Sequence, residues 1–179
     1  MHKVVSIILI IIFSFFLLPQ IALITQSQSL HITEPEVVYA LPYPGILSDH
    51  PLYFVKEMRD SLLVFTTRDN LKKAQLYLHL SDKRMAIALE LAQKGKGDLA
   101  KKELLKAEEH FLEIPPLLKD SKEQGTAAPA EFISKLKESN AKHKSVITEV
   151  MKEVSDAEVK AFKTILDKNN QVQKEIQQL

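Results

Sequence analysis

NLKKAQLYLHLSDKRMAIALELAQK, Asn70 to Lys94, settles the fold class. Leu71, Ala74, Leu78, Met85, Ala88 and Ala92 recur at three- and four-residue spacing, with Ser81 as a small polar member. That is the period of an α-helix. Leu76, Leu80, Ile87 and Leu91 widen the apolar surface. A helix buried so broadly has more than one neighbour. Gly95 and Gly97 supply its stop.

Four further helical segments flank this one. Before it, Leu52, Val55, Met58, Leu62 and Phe65 make one apolar stripe over about Pro51 to Phe65, with Lys56, Glu57, Arg59 and Asp60 on the other side. Thr66 to Asn70 offers several N-caps for the central helix. After it, Asp98 is placed to cap a helix carrying Ala100, Leu104, Ala107, Phe111 and Ile114. Pro115-Pro116 ends or kinks that helix, because each proline removes an intrahelical bond.

Gly125 to Pro129 reads as a linker. The fourth helix runs from about Pro129 to Val154 on Ile133, Leu136, Ile147, Val150 and Val154, with Asn140 and His143 in mid-stripe. Ser155 to Glu158 has capping-box spacing and opens a fifth, carrying Phe162, Ile165, Val172, Ile176 and Leu179 with Asn169 between. No segment sustains period-two alternation, so no sheet is expected. The expected fold is all-α, an antiparallel multi-helix bundle. Helices one to three form its core domain, 39–124. Helices four and five form a hairpin, 125–179, that either completes the bundle or projects from it, and its polar-interrupted stripes suit coiled-coil pairing better than deep burial.

Composition removes several functions. Lys+Arg is 24 against Asp+Glu 23, too balanced for general affinity to nucleic acid. There is no cysteine, hence no disulfide, thiolate site, Cys nucleophile or lipidated Cys anchor. Charged residues, Leu and Ala dominate beyond the first two dozen positions, as in surface-rich helices.

The first residues carry an address. Lys3 precedes Val4 to Leu18, almost wholly apolar and uncharged, and Ile21 to Ile24 extend it past Pro19-Gln20. A secretory signal has an apolar core of roughly 7–15 residues, and a spanning helix needs about 20. The segment lies between them, so residues 1–27 are either a cleaved signal peptide or a transmembrane anchor. Thr25-Gln26-Ser27 and Val38-Tyr39-Ala40 are the candidate cleavage sites. Both readings put the following chain outside the cytoplasm, because positive charge precedes the segment and Glu34 and Glu36 follow it. Residues 28–38 read as a flexible spacer.

YALPYPGILSDHPLYF, Tyr39 to Phe54, joins this spacer to the helices. Pro42 and Pro44 push Leu41 and Tyr43 out of the helical region, and Pro44-Gly45 is a turn pair. Ser48 and Asp49 are good caps, and Pro51 suits a first helical turn. Four large side chains, Tyr39, Leu41, Tyr43 and Ile46, are expected to pack back onto helices one and two.

YALPYPGILSDHPLYFVKEMRD and TRDNLKKAQLYLHLSDKRMAIALELAQKGKGDLA together resemble a family of bacterial extracytoplasmic proteins known only as a domain of unknown function. The resemblance covers roughly Tyr39 to Ile114. It rests on the Tyr-Ala-Leu-Pro-Tyr-Pro-Gly lead, the Asp-x-Pro-Leu-Tyr helix start and the Asp-x-x-Lys-Lys-Ala helix with its Asp-Lys-Arg. Ser48 and Asn70 stand where the family is associated with proline, and both suit a helix entry. The resemblance implies a secreted or anchored helical domain, and it carries over no catalytic residue.

The chemistry-bearing residues are sparse. His110 lies near Glu109 and Glu113, a face that a solvated helix explains without zinc. His143 with Asn140 reads as a register-setting polar pair in a seam. Asp49-His50 reads as a cap before an acid–base pair. Arg84 falls within the apolar surface of helix two and is placed to pair with a carboxylate such as Asp60 or Glu103. Neither a Gly-rich phosphate loop, a Gly-x-Ser-x-Gly elbow nor a His-Glu-x-x-His motif occurs.

The leading expectation is a non-enzymatic interaction or structural module of the cell envelope, with no cofactor. Its partners would be an envelope protein or helix, the membrane through an uncleaved N-terminus, or another copy of itself. A small-ligand or metal sensor near His110 or Arg84 comes second, and an envelope-polymer hydrolase third.

Overall fold

The computed structural model describes residues 39–152 and 159–179. The apolar segment Val4–Ile24, the spacer 28–38 and the capping-box residues Ser155–Glu158 lie outside them. The order is α1 (Tyr53–Thr66), α2 (Asn70–Gln93), α3 (Gly97–Leu112), α4 (Ile114–Glu123), α5 (Ala130–Lys152) and α6 (Val159–Ile176). No strand occurs among the described residues, and no helix there is long and apolar enough to cross a membrane. The chain from Val37 to Leu179 is one compact unit.

Local chemistry sets several boundaries. Asp69 caps α2 by accepting the Lys72 N–H at 2.7 Å. Gly95 takes φ +71°, and Lys96 N–H reaches back to the Leu91 carbonyl at 2.9 Å. That six-to-one closure ends α2 on a glycine because the left-handed conformation is strained for a residue with a Cβ. Of the end or kink expected at Pro115-Pro116, the structure shows an end at Leu112 followed at once by a new helix that the two prolines open. They occupy the first turn of α4, where the missing N–H groups have no intrahelical acceptor.

Two other expected caps are not used. No side chain caps α1, whose first turn instead has Leu52 N–H donating to His50 Nδ1 at 3.1 Å. Asp49 bonds Lys96 Nζ at 2.6 Å, and Pro51 falls just before the helix. Asp98 lies inside the first turn of α3 and pairs with Lys101.

α2, α3, α5 and α6 form a four-helix ring, with α4 packed across one end and α1 on the flank. Met85, Leu91, Leu104, Ile147, Val150 and Phe162 belong to one apolar core. Leu78, Phe111, Ile114, Leu136, Val172 and Ile176 belong to a second. α2 and α5 each run from the second core to the first, and α3 and α6 run back. The hairpins α2–α3 and α5–α6 are therefore antiparallel. α2 and α5 lie side by side in the same direction, because α4 carries the chain across the bundle end before α5 begins. The C-terminal hairpin completes the bundle, and deep burial of Ile147, Val150 and Phe162 replaces the shallow pairing expected of it.

The lead packs through fewer side chains than expected. Tyr39 and Leu41 are half-buried, with Leu41 against the first core. Tyr43 is 83% and Ile46 43% exposed, and Leu47 is the residue that inserts. Pro42 and Pro44 hold the chain extended, with Gly45 at φ +71° between Pro44 and Ile46. Lys56 Nζ ties this turn to α1 through the carbonyls of Pro44 and Ile46, at 3.0 and 3.3 Å.

Candidate functional site

Between the two apolar cores lies a buried polar layer to which every helix of the ring contributes. α2 brings Ser81 and Asp82, α3 Glu108, α5 Ser139, Asn140 and His143, and α6 Asn169, all buried. Ser139 and His143 are four apart and Asn140 and His143 three apart, so one face of α5 presents all three. His143 is fully buried at the centre. Its Nε2 lies 3.0 Å from Asp82 Oδ1 and its Nδ1 2.9 Å from Glu108 Oε1. The Phe111 ring stands against the imidazole at 4.9 Å between centroids.

Burial by itself drives the imidazole toward its neutral form. Hydrogen bonds to Asp82 and Glu108 and their negative charge override that and raise its pKa to about 9. The ring is then an imidazolium donating from both nitrogens. Asp82 also accepts from Ser139 Oγ at 2.6 Å and, on its other oxygen, from Tyr39 OH at 2.6 Å. Burial first, and then the hydrogen bond to Asp82, raise the Tyr39 phenol above its ordinary range. Asn169 Nδ2 donates to Asn140 Oδ1 at 3.0 Å and its carbonyl at 3.2 Å, and lies 3.4 Å from both Glu108 oxygens. Asn169 Oδ1 has no partner among the described residues.

A second cluster fastens α1. Arg84 donates to Glu103 Oε2 at 2.7 Å, to Tyr53 OH at 3.1 Å and to Glu57 Oε1 at 3.3 Å. Tyr53 OH donates in turn to Glu103 Oε2 at 3.0 Å, and Lys106 Nζ reaches Glu57 at 2.7 Å. Of the two carboxylates named for Arg84, Glu103 takes it, and Asp60 pairs with its neighbour Arg59. His110 sits edge-on to Tyr77 at 5.5 Å between centroids. Burial, then the positive charge of Arg84 and Lys106, lower its pKa to about 4, so it stays neutral. Glu109 and Glu113 beside it are exposed. Among the described residues no three His, Asp or Glu side chains are grouped to hold a metal ion.

These contacts turn α1 inside out. Tyr53 and Asp60 are its buried residues, and Glu57 and Lys56 are half-buried. The stripe of Leu52, Val55, Met58, Leu62 and Phe65 points to solvent, together with Phe54 and Leu63. Met58 is 67% and Phe65 83% exposed. An amphipathic helix on a bundle ordinarily buries its apolar stripe. Here the polar side faces inward because Tyr53 and Glu57 join the Arg84–Glu103 pair and Lys106 there, and the opposite orientation would set the apolar stripe against those charged groups.

Asn140, His143 and Asn169 were visible in the sequence as breaks in apolar stripes. Asp82 and Glu108 were not, since each directly follows a small seam residue, Ser81 or Ala107, and looks like the start of a solvated face.

No curated protein and no solved structure matches the chain. A family model, Domain of unknown function (DUF5667), matches residues 45–157. The match takes in Asp82, Arg84, Glu103, Glu108 and His143 and all of α1, and leaves out Tyr39 and Asn169. By that match over more than half its length, the chain belongs to the DUF5667 family.

Proposed function

We propose that this protein is a non-enzymatic interaction module of the cell envelope, lying outside the cytoplasm and presenting α1 as its contact surface. The observation that carries this reading is the orientation of α1, whose inner side Glu57 fastens to Arg84 and Lys106 and which, with Leu52 just before it, turns seven large apolar side chains outward. A contiguous exposed apolar face marks an interaction site. The titratable groups of the polar layer support the same reading, because His143 is buried and bonded to both Asp82 and Glu108, which are buried too. The apolar segment Val4–Ile24, with positive charge before it, supports the location.

The mature N-terminus, read by sequencing the protein from fractionated cells, tests the location. A start at Gln28 or Leu41 means an exported, released domain. An uncleaved chain in the membrane fraction means a tethered one. An uncleaved chain found only in the cytoplasm would overturn the reading.

A further inference from the structure

We propose that the outer face of α1 inserts into the interfacial region of a lipid bilayer. This rests on the reading of α1 as the contact surface and names what covers it.

Three observations choose the bilayer over another protein helix. The first is width. At 100° per residue, Phe54, Phe65, Met58, Leu62, Val55, Leu52 and Leu63 fall on about half of the helix circumference. A helix–helix seam covers two positions in seven, so a second copy of α1 would leave much of this arc wet. A helix lying in a membrane interface buries just such a broad face, to about 5–10 Å depth.

Charge is the second. Both acids of α1, Glu57 and Asp60, face the bundle, and Glu57 is held there by Arg84 and Lys106. Arg59, 58% exposed, falls inside the arc between Val55 and Leu52, and its guanidinium turns to Asp60 at 2.6 Å. The outer arc therefore presents aromatic and aliphatic side chains and no carboxylate, so it holds no negative charge to repel a headgroup layer.

Reach is the third. The apolar segment ends at Ile24, and residues 25–38 separate it from Tyr39. Fourteen residues extend to about 50 Å at most, so a chain anchored there would hold α1 within range of the surface.

The test uses residues 37–179, the compact unit that contains both apolar cores. The chain has no cysteine, so Met58→Cys gives one labelling site for an environment-sensitive dye. Vesicles of phosphatidylethanolamine and phosphatidylglycerol should blue-shift the dye and carry the unlabelled unit into the pellet. Met58→Asp with Leu62→Asp should reduce pelleting about tenfold or more, since charge at the interface opposes insertion. The melting temperature should hold, because both side chains are exposed.

A unit that stays in the supernatant overturns the inference. So does pelleting that the double substitution leaves unchanged. A lipid-free dimer abolished by that substitution overturns it too, and assigns the face to a second copy. Cell fractionation keeps the two readings apart. Vesicle binding by a chain that cells retain in the cytoplasm leaves this inference standing and removes the location alone. An exported chain whose unit ignores vesicles does the reverse.

Discussion

His143 Nε2 lies 3.0 Å from Asp82 Oδ1, in a layer of the bundle where the imidazole has no exposure to solvent. The pair joins α5 to α2, and the second ring nitrogen joins both to α3 through Glu108. An unpaired charge at this depth would be severely destabilising. Each helix must therefore be in register for the layer to close.

The first prediction is a stability that falls in alkali. The folded-state pKa of His143, about 9, lies above the ordinary 6.5, so the folded chain holds this proton more tightly than the unfolded one. Its contribution is complete below about pH 6.5 and disappears as pH rises through 9. The difference corresponds to on the order of 3 kcal/mol. Urea denaturation from pH 6 to pH 9.5 should show the midpoint falling. His143→Gln should flatten that slope, and a midpoint that rises with pH would exclude a charged His143.

Removing one member of the layer should cost more than removing all the charges. Asp82→Asn takes one carboxylate from the imidazolium and should destabilise by about 3–5 kcal/mol. Replacing Asp82, Glu108 and His143 together by leucine or methionine, with Ser139→Ala and Tyr39→Phe to remove the hydroxyls that donate to Asp82, removes the charges and leaves no donor without its acceptor. This combined change should destabilise less than the single one. Denaturant midpoints for the two proteins decide it.

The fastening of α1 predicts a graded stability. Tyr53→Phe deletes a hydroxyl that Glu103 accepts from and Arg84 donates to, and should cost about 1 kcal/mol. Hydrogen exchange should show amides of Tyr53–Thr66 opening well before those of Asn70–Gln93, since α1 buries few side chains and α2 buries many. Equal protection of the two helices would contradict this.

Gly95→Ala should destabilise by about 1 kcal/mol. The backbone sits at φ +71° with open space where the Cβ would go, so the cost is conformational and no clash adds to it. Thermal melts can measure it.

Apolar spacing determined much of the fold. The period in Asn70–Lys94 made α2 a helix with several neighbours, and the same logic placed α3, α5 and α6. Local chemistry marked Thr66 to Asn70, where Asp69 acts, as a source of caps and Gly95 as a stop, because both act through backbone atoms a few residues away. Arg84 stood out because a cation within an apolar surface must find a carboxylate.

What the sequence could not decide was which side of α1 faces the bundle. Its apolar stripe and its polar side are both clear in the residues, and periodicity alone favours burying the stripe. The choice falls to Glu103, fifty residues after Tyr53, and to Arg84 between them. The polar layer is the same kind of fact. Asp82, Glu108, His143 and Asn169 lie on four helices, and only their packing puts one imidazole between two carboxylates. Helix formation depends on near neighbours in the chain, whereas compensation of buried charge depends on partners that the tertiary structure alone brings within 3 Å.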